Sequence, residues 1–200
     1  MKQSVFTVEA NGKIALNTYR MTLKGDTSDI TKAGQFVNIK LDGFFLRRPI
    51  SVYDCNEGEL GLIYKTVGKG TEYMAGLEKG AELDILTGLG NGYDLTKSGE
   101  RPLLIGGGAG VPPMYNLCRR LIDEGKKPVV VMGFNKADEI FCKDEFEKLG
   151  AEVIIATADG SVGVKGFVTD AIKDIDYTYV YTCGPEPMLK AVYNAVKTSG

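Results

Sequence analysis

Leu103-Leu-Ile-Gly-Gly-Gly-Ala-Gly-Val-Pro-Pro113 carries a short apolar run straight into three adjacent glycines and a proline-led segment. The run reads as a buried strand, and Pro112–Glu124 as a helix with Met114, Leu117, Leu121 and Ile122 along one face. A second apolar run, Val129–Met132, follows. Strand, helix and strand in that order make a βαβ unit and imply a parallel sheet. The glycines fall at the turn, where N–H groups converge and the helix dipole is positive. A pyrophosphate fits there. So does a plain tight turn with proline near a helix start, although three adjacent glycines exceed a turn's needs. Gly107, Gly108, Gly110 and Pro113 are the candidate contacts. The G-x-G-x-x-G fingerprint is not met, because Pro113 takes the third glycine position and no acidic residue closes the second strand at Gly133-Phe-Asn135.

Downstream, Lys143–Leu149, Val153–Ala156, Val168–Ile172, Tyr179–Thr182 and Pro187–Val196 continue the alternation, predicting about four strands with helices on both faces. Cys183-Gly184-Pro185 follows the last apolar run, at the carboxyl edge where open α/β sheets bind ligands. A thiol beside a glycine can pack against a flat nicotinamide; a buried cysteine before a Gly-Pro turn reads the same way. Asp159-Gly-Ser161 and Asp170 can bond a ribose or cap the helix from Val168. Lys136, after the second strand, could tolerate a 2′-phosphate, so NAD and NADP are both open here.

Upstream the rhythm differs. Ser4–Ala10, Thr18–Leu23, Gln35–Leu41, Ile50–Tyr53, Leu60–Lys65 and Glu82–Leu86 are short β-rich runs between turns, the pattern of an antiparallel barrel. Thr71–Leu77 reads as a single helix with Thr71 as its N-cap, plugging one barrel end. The polar stretch Lys97-Ser-Gly-Glu100 divides the chain into residues 1–97 and 98–200. Within the first half, alternation along Arg48-Pro49-Ile50-Ser51 puts Arg48 and Ile50 on one face and Pro49 and Ser51 on the other. One arginine can hold a diphosphate while a serine hydroxyl faces a flavin ring; a basic edge strand would look alike. Ile63, Tyr64 and Lys65, then Gly70 and Thr71, supply a ring, a cation and an anion-friendly helix start, or a core tyrosine and a hairpin. Gly88-Leu-Gly-Asn-Gly-Tyr-Asp94 is either a junction loop near the cofactor or a flexible hinge.

Composition narrows the chemistry. The 200 residues contain no histidine, which removes Ser-His-Asp and Cys-His mechanisms and most catalytic zinc sites. Cys55, Cys118, Cys142 and Cys183 are far apart, with no Cys-x-x-Cys pair for zinc or an iron–sulfur cluster. A net charge of −2 with scattered Lys and Arg speaks against nucleic acid. Neither a spanning apolar stretch nor a signal peptide is present, so a cytoplasmic location without membrane partners is expected.

Taken as an ordered set, Ala33-Gly-Gln-Phe-Val37, Arg47-Arg-Pro-Ile-Ser51, Ile63-Tyr-Lys65, Gly70-Thr71, Gly88–Gly92, Gly106–Pro113, Ala158-Asp-Gly-Ser161 and Cys183–Met188 resemble the electron transfer subunits of type B dihydroorotate dehydrogenase, a branch of the ferredoxin-reductase-like flavoproteins. The resemblance implies a Greek-key FAD barrel over residues 1–97, then a Rossmann-like NAD domain over 98–200. It further implies FAD contacts at Arg48 to Ser51, Ile63 to Lys65, Gly70 and Thr71. Ile50 replaces the tyrosine of the broader Arg-x-Tyr-Ser pattern, so Tyr64 becomes the expected stacking ring. Ser51 and Cys183 are the expected catalytic positions, beside flavin N5 and the nicotinamide. The partner implied is an FMN-containing catalytic subunit in a heterotetramer of pyrimidine biosynthesis, with electrons from dihydroorotate reducing NAD⁺. Such subunits also carry a cysteine-rich segment for a [2Fe–2S] cluster, whose ligands this sequence lacks. The alternatives are a free-standing NAD(P)H-dependent flavin or ferredoxin reductase, and a non-catalytic nucleotide-binding subunit.

Overall fold

A computed structural model describes residues 1–197. The chain divides into two compact units, Met1–Tyr93 and Asp94–Gly200. The polar stretch after Lys97 is thus not itself the dividing point: Leu95–Lys97 form a 3₁₀ turn of the second unit, capped by the Asp94 carboxylate through Thr96 N.

The first unit is a closed barrel of six antiparallel strands, β1 (Lys2–Ala15), β2 (Thr18–Lys24), β3 (Phe36–Ile39), β4 (Arg48–Asn56), β5 (Glu59–Lys65) and β6 (Glu82–Leu89). Around the barrel they run β1-β2-β5-β4-β3-β6. Closure removes the edges that six short strands would otherwise expose. Phe6, Val8, Met21, Leu23, Val37, Ile39, Val52, Leu60 and Leu62 fill the interior. All six runs expected from the sequence are present; five are extended by a few residues, while Gln35–Leu41 is paired only over Phe36–Ile39.

The helix between β5 and β6 is α1 (Lys69–Ala75), two residues earlier than its sequence signals suggest. Its N-cap is Gly68, and the expected capping residue Thr71 lies inside the first turn. There the Thr71 hydroxyl accepts from Val67 N at 2.9 Å and donates to Gly68 O at 2.9 Å, so it closes the loop and not the helix end. Met74, fully buried, anchors α1 in the barrel core.

Gly88, Gly90 and Gly92 have φ of +68°, +82° and +70°. A Cβ on them would meet Asp29, Phe36 and Lys32 at 3.0, 3.2 and 2.5 Å. The segment is therefore packed on the barrel in left-handed turns, and a hinge is not the reason for its glycines.

The second unit holds a parallel sheet of five strands, one more than expected: β7 (Leu103–Gly107), β8 (Val129–Phe134), β9 (Glu152–Thr157), β10 (Val164–Lys165) and β11 (Val180–Cys183). The additional β10 is two residues long, too short to leave a periodic signal. The order is β10-β9-β8-β7-β11, so the chain moves outward from β7 and then returns to its other side. Helices α2 (Val111–Asp123), α3 (Lys143–Leu149), α4 (Val168–Ala171) and α5 (Glu186–Lys197) connect and flank the strands. Leu103, Ile105, Val129 and Val131 face Val168, Ile172 and Val192 of the α4–α5 layer. Their alternates Leu104, Val130 and Met132 are buried on the opposite face. Among the described residues no helix is long and apolar enough to cross a membrane.

Candidate functional site

Reversal of strand order at β7 opens a crevice beyond the carboxyl ends of β7 and β11, the position at which doubly wound sheets take ligands. The two glycine motifs meet there. Cys183 is in register with Gly106 across the β7–β11 pair. Gly108–Gly110 make a single 3₁₀ turn that feeds α2, with Pro112 and Pro113 in its first turn, where missing N–H groups cost nothing. Pro113 is buried. Gly108 is left-handed at φ +51°.

These glycines are small because the backbone opposite is close. A Cβ at Gly110 would stand 2.1 Å from Cys183 O and 2.7 Å from Gly184 N. A Cβ at Gly107 would meet Met188 Sδ at 2.4 Å, and one at Gly184 would meet Met188 Cε at 2.5 Å. Met188 thus bridges both turns with one thioether. Pro185 is exposed and Cys183 half-buried; like Cys55, Cys118 and Cys142 it is not in a disulfide. Next to it, Thr182 Oγ1 is buried without a hydrogen-bond partner. A turn stripped of side chains beside a positive helix end fits a dinucleotide.

At the ends of β8 and β9 the loops are tied to each other. Ser161 Oγ accepts from Ala137 N at 2.9 Å, and Asp159 Oδ1 accepts from Ser161 N and Oγ at 2.9 and 2.6 Å. Those bonds hold the Asp159 carboxyl below its ordinary range. Asp170, not Asp159, caps α4, accepting from Phe167 N at 3.0 Å. Lys136 is paired with Asp138 at 2.9 Å, with Glu139 and Asp159 raising its pKa further. Sequence reading missed Glu139. It stands beyond the strand end, yet it is buried and accepts from Asn135 Nδ2 at 3.1 Å.

On the barrel, structure separates the two adjacent arginines. Arg47 is spent inside the frame: it donates to Asn38 O at 3.2 Å and Asp84 O at 3.0 Å, and pairs with Asp84 Oδ1 at 3.0 Å. Arg48 leaves in the opposite direction. Its guanidinium lies 5.0 Å from the Phe44 ring and against Gly70, where a Cβ would be 2.1 Å from Nε. Phe44 in turn meets Tyr73 edge to face at 5.7 Å. So Arg48, Gly70 and the first turn of α1 converge, as a diphosphate cradle requires. Along β4, Ile50 packs on the core, Pro49 is exposed and Ser51 is half-buried.

Ile63, Tyr64 and Lys65 follow on β5, but the tyrosine is not available for stacking. Its ring is 3% exposed within the barrel core, 6.0 Å from Tyr19 and nearly parallel to it. Its hydroxyl donates to Asn11 Oδ1 at 2.9 Å, and burial pushes its pKa well above the usual phenol range. The strand position that faces inward wins over the aromatic's affinity for a flat ligand. Any contact from this stretch to a cofactor falls to backbone or Lys65.

A closed barrel with an arginine–glycine cradle, followed by a parallel sheet with a glycine turn at its switch point, defines a ferredoxin-reductase-like oxidoreductase. Residues 104–194 match a family model described as oxidoreductase NAD-binding domain. The chain is 47% identical to the electron transfer subunit of dihydroorotate dehydrogenase B (NAD(+)) of Fusobacterium nucleatum, covering all of this chain and 82% of that protein. The same-named subunit of Bacillus pumilus is 43% identical over 96% of this chain and 78% of its own length. A solved NADH-dependent reduced ferredoxin-NADP oxidoreductase matches at TM-score 0.87 and 28% identity, over 96% of this chain and 72% of that one. The FAD/NAD-binding domain of a Vibrio cholerae nitric oxide dioxygenase shares the fold at TM-score 0.85 and 19% identity, over 98% and 93%. The chain belongs to the family of dihydroorotate dehydrogenase B electron transfer subunits.

Proposed function

We propose that this chain exchanges hydride between NAD(H) and an FAD held on the barrel, and relays the electrons to or from an FMN-containing dihydroorotate dehydrogenase catalytic subunit in pyrimidine biosynthesis. On this reading the barrel is the FAD domain and the second unit the NAD domain. The observation that carries it is the packing of Gly110 on the Cys183 peptide, which joins both nucleotide motifs into one crevice.

Each residue has a part. Arg48 neutralises the diphosphate as a charge-assisted donor, with Gly70 and Thr71 framing it and Pro49 and Ile50 fixing the strand. Ser51 offers its hydroxyl to the ring, beside backbone from Ile63 to Lys65. Gly107, Gly108 and Gly110 bring N–H groups to the nicotinamide dinucleotide's phosphates, and Pro113 starts the helix behind them. Cys183, Gly184 and Pro185 form the floor beneath the nicotinamide. Bound FAD supplies the redox chemistry, accepting a hydride and giving electrons up singly. Hydride transfer needs donor and acceptor within about 3 to 3.5 Å of each other, and no histidine is needed.

Among the described residues no group of three or more His, Cys, Asp or Glu side chains is placed to hold a metal. The described residues do not fit a [2Fe–2S] cluster. Phe45 and Leu46, 99% and 67% exposed beside Arg48, are an apolar rim suited to a partner subunit. The test is an absorption spectrum of the purified protein followed by anaerobic NADH. Flavin bands near 370 and 450 nm that bleach support the proposal; a colourless protein that takes up no FAD refutes it.

A further inference from the structure

Asn11, on β1, carries no sequence signal, yet its side-chain amide bonds the C-terminal end of α1 and the residues just past it. The helix is seven residues long and has no side-chain N-cap, so its own hydrogen bonds cannot fix its position. Asn11 Nδ2 donates to Met74 O at 2.8 Å and Leu77 O at 3.0 Å, with Ala75 O at 3.4 Å. Met74 O and Ala75 O belong to the last helical turn, whose carbonyls lack a full set of intrahelical partners, Met74 O also accepting from Leu77 N at 3.1 Å, and Leu77 O lies just past the C-cap. Asn11 Oδ1 accepts from the Tyr64 hydroxyl, which settles the orientation of the amide: donors to the helix, acceptor to the phenol. Tyr64 is held in turn by its stack on Tyr19, its register partner across β2 and β5. Burial keeps the phenol protonated, so it remains a donor throughout the working pH range.

The other end of α1 is where Gly70 receives the Arg48 guanidinium. A helix of two turns moves as a rigid piece, so whatever fixes its C-terminal carbonyls also sets the gap between Gly70 and Arg48. We propose that Asn11 and Tyr64 are positioning residues for the diphosphate cradle: they touch no cofactor, and they hold α1 at the offset that aims Arg48. This rests on the assignment of FAD to the barrel. It also gives Tyr64 a role through its hydroxyl where sequence alone suggested its ring.

The experiment uses the full chain stripped of flavin, titrated with FAD by fluorescence quenching, alongside hydrogen–deuterium exchange before FAD is added. Asn11→Ala is expected to weaken FAD roughly tenfold, the size of one or two lost buried hydrogen bonds. Asn11→Asp keeps the acceptor for Tyr64 but loses the donors to α1, and should weaken FAD as much. Tyr64→Phe removes only the hydroxyl, leaves the ring in the core, and should weaken FAD by about threefold; it serves where Asn11 variants fold poorly. Amides of residues 72–77 should lose protection in the flavin-free variants while the β1–β2 and β2–β5 ladders keep theirs. The discriminating measurement is the double-mutant cycle with Arg48→Ala. Positioning through Arg48 makes the double variant no weaker for FAD than Arg48→Ala alone, whereas a purely structural cap makes the losses add. Undiminished affinity in folded Asn11→Ala or Tyr64→Phe, or additive losses, overturns the positioning role. Failure of the unaltered chain to bind FAD overturns the cofactor assignment itself.

Discussion

Gly110→Ala is the sharpest perturbation of the nucleotide crevice. Gly110 has φ −85° and ψ −9°, which alanine adopts freely, so backbone strain plays no part in the outcome. Sterics decide it. The new methyl would lie 2.4 Å from the Cys183 carbonyl carbon and 2.1 Å from its oxygen, against an ordinary carbon contact of about 3.5 to 4.0 Å. Both atoms are backbone and cannot rotate aside, so the Gly108–Gly110 turn and the Cys183 turn must part by about 1 Å. Overpacking of this kind costs about 1 to 3 kcal/mol, a fall of at least about 4 °C in the unfolding of a unit this size. A displacement of that order at reacting groups costs about a hundredfold in rate. Stopped-flow flavin reduction by NADH should therefore slow by about that factor while FAD content stays unchanged, since the barrel is untouched. Gly12→Ala is the control, because nothing lies within 4 Å of its Cβ. Wild-type unfolding temperature together with a wild-type reduction rate for Gly110→Ala would refute the packing of the two turns.

Arg48→Ala should reduce FAD occupancy after gel filtration with little change in unfolding, by about 1.5 to 3 kcal/mol of binding; Arg47→Ala should do the reverse, because it breaks two carbonyl bonds and the Asp84 pair inside the barrel. Equal FAD content in wild type and Arg48→Ala contradicts that division. Cys183→Ala is expected to slow NADH-dependent reduction with FAD still bound, and an unchanged rate assigns the thiol to packing. Burial pushes the Cys118 thiol up to about 12 from 9.0. Above pH 9 the unfolded chain therefore loses this proton first, and stability falls by up to about 1.4 kcal/mol per pH unit. Urea midpoints from pH 8 to 11 should decline less steeply in Cys118→Ala, and parallel declines would exclude the thiol as a cause.

The alternation of short β-rich runs and then of strands and helices was legible because each segment buries one face, and burial leaves a period in the sequence. Lys143–Leu149 was read to the residue, since Gly150 ends it in a left-handed turn. What escaped lacks that imprint. Strand β10 is held by two residues of pairing with β9. Thr71 looked like a cap because hydroxyls favour helix starts, but Gly68 offered the turn geometry first. The two arginines of Arg47-Arg48 are identical as letters, and only the strand's alternation and the position of Asp84 separate them. Asn11 was invisible for a deeper reason: its partners Tyr64 and Met74 are 53 and 63 positions away, and no local pattern encodes a contact of that span.

Met188 leaves a rule for how this crevice can change over generations. Its thioether occupies the volume that side chains at both 107 and 184 would need, so the three positions form one lock. A relative that carries alanine at either glycine should carry a shorter residue at 188, and one that keeps methionine there should keep both glycines. Change at either glycine is thus coupled to where the thioether end at 188 goes, even though the three residues lie on a strand end, a turn and a helix.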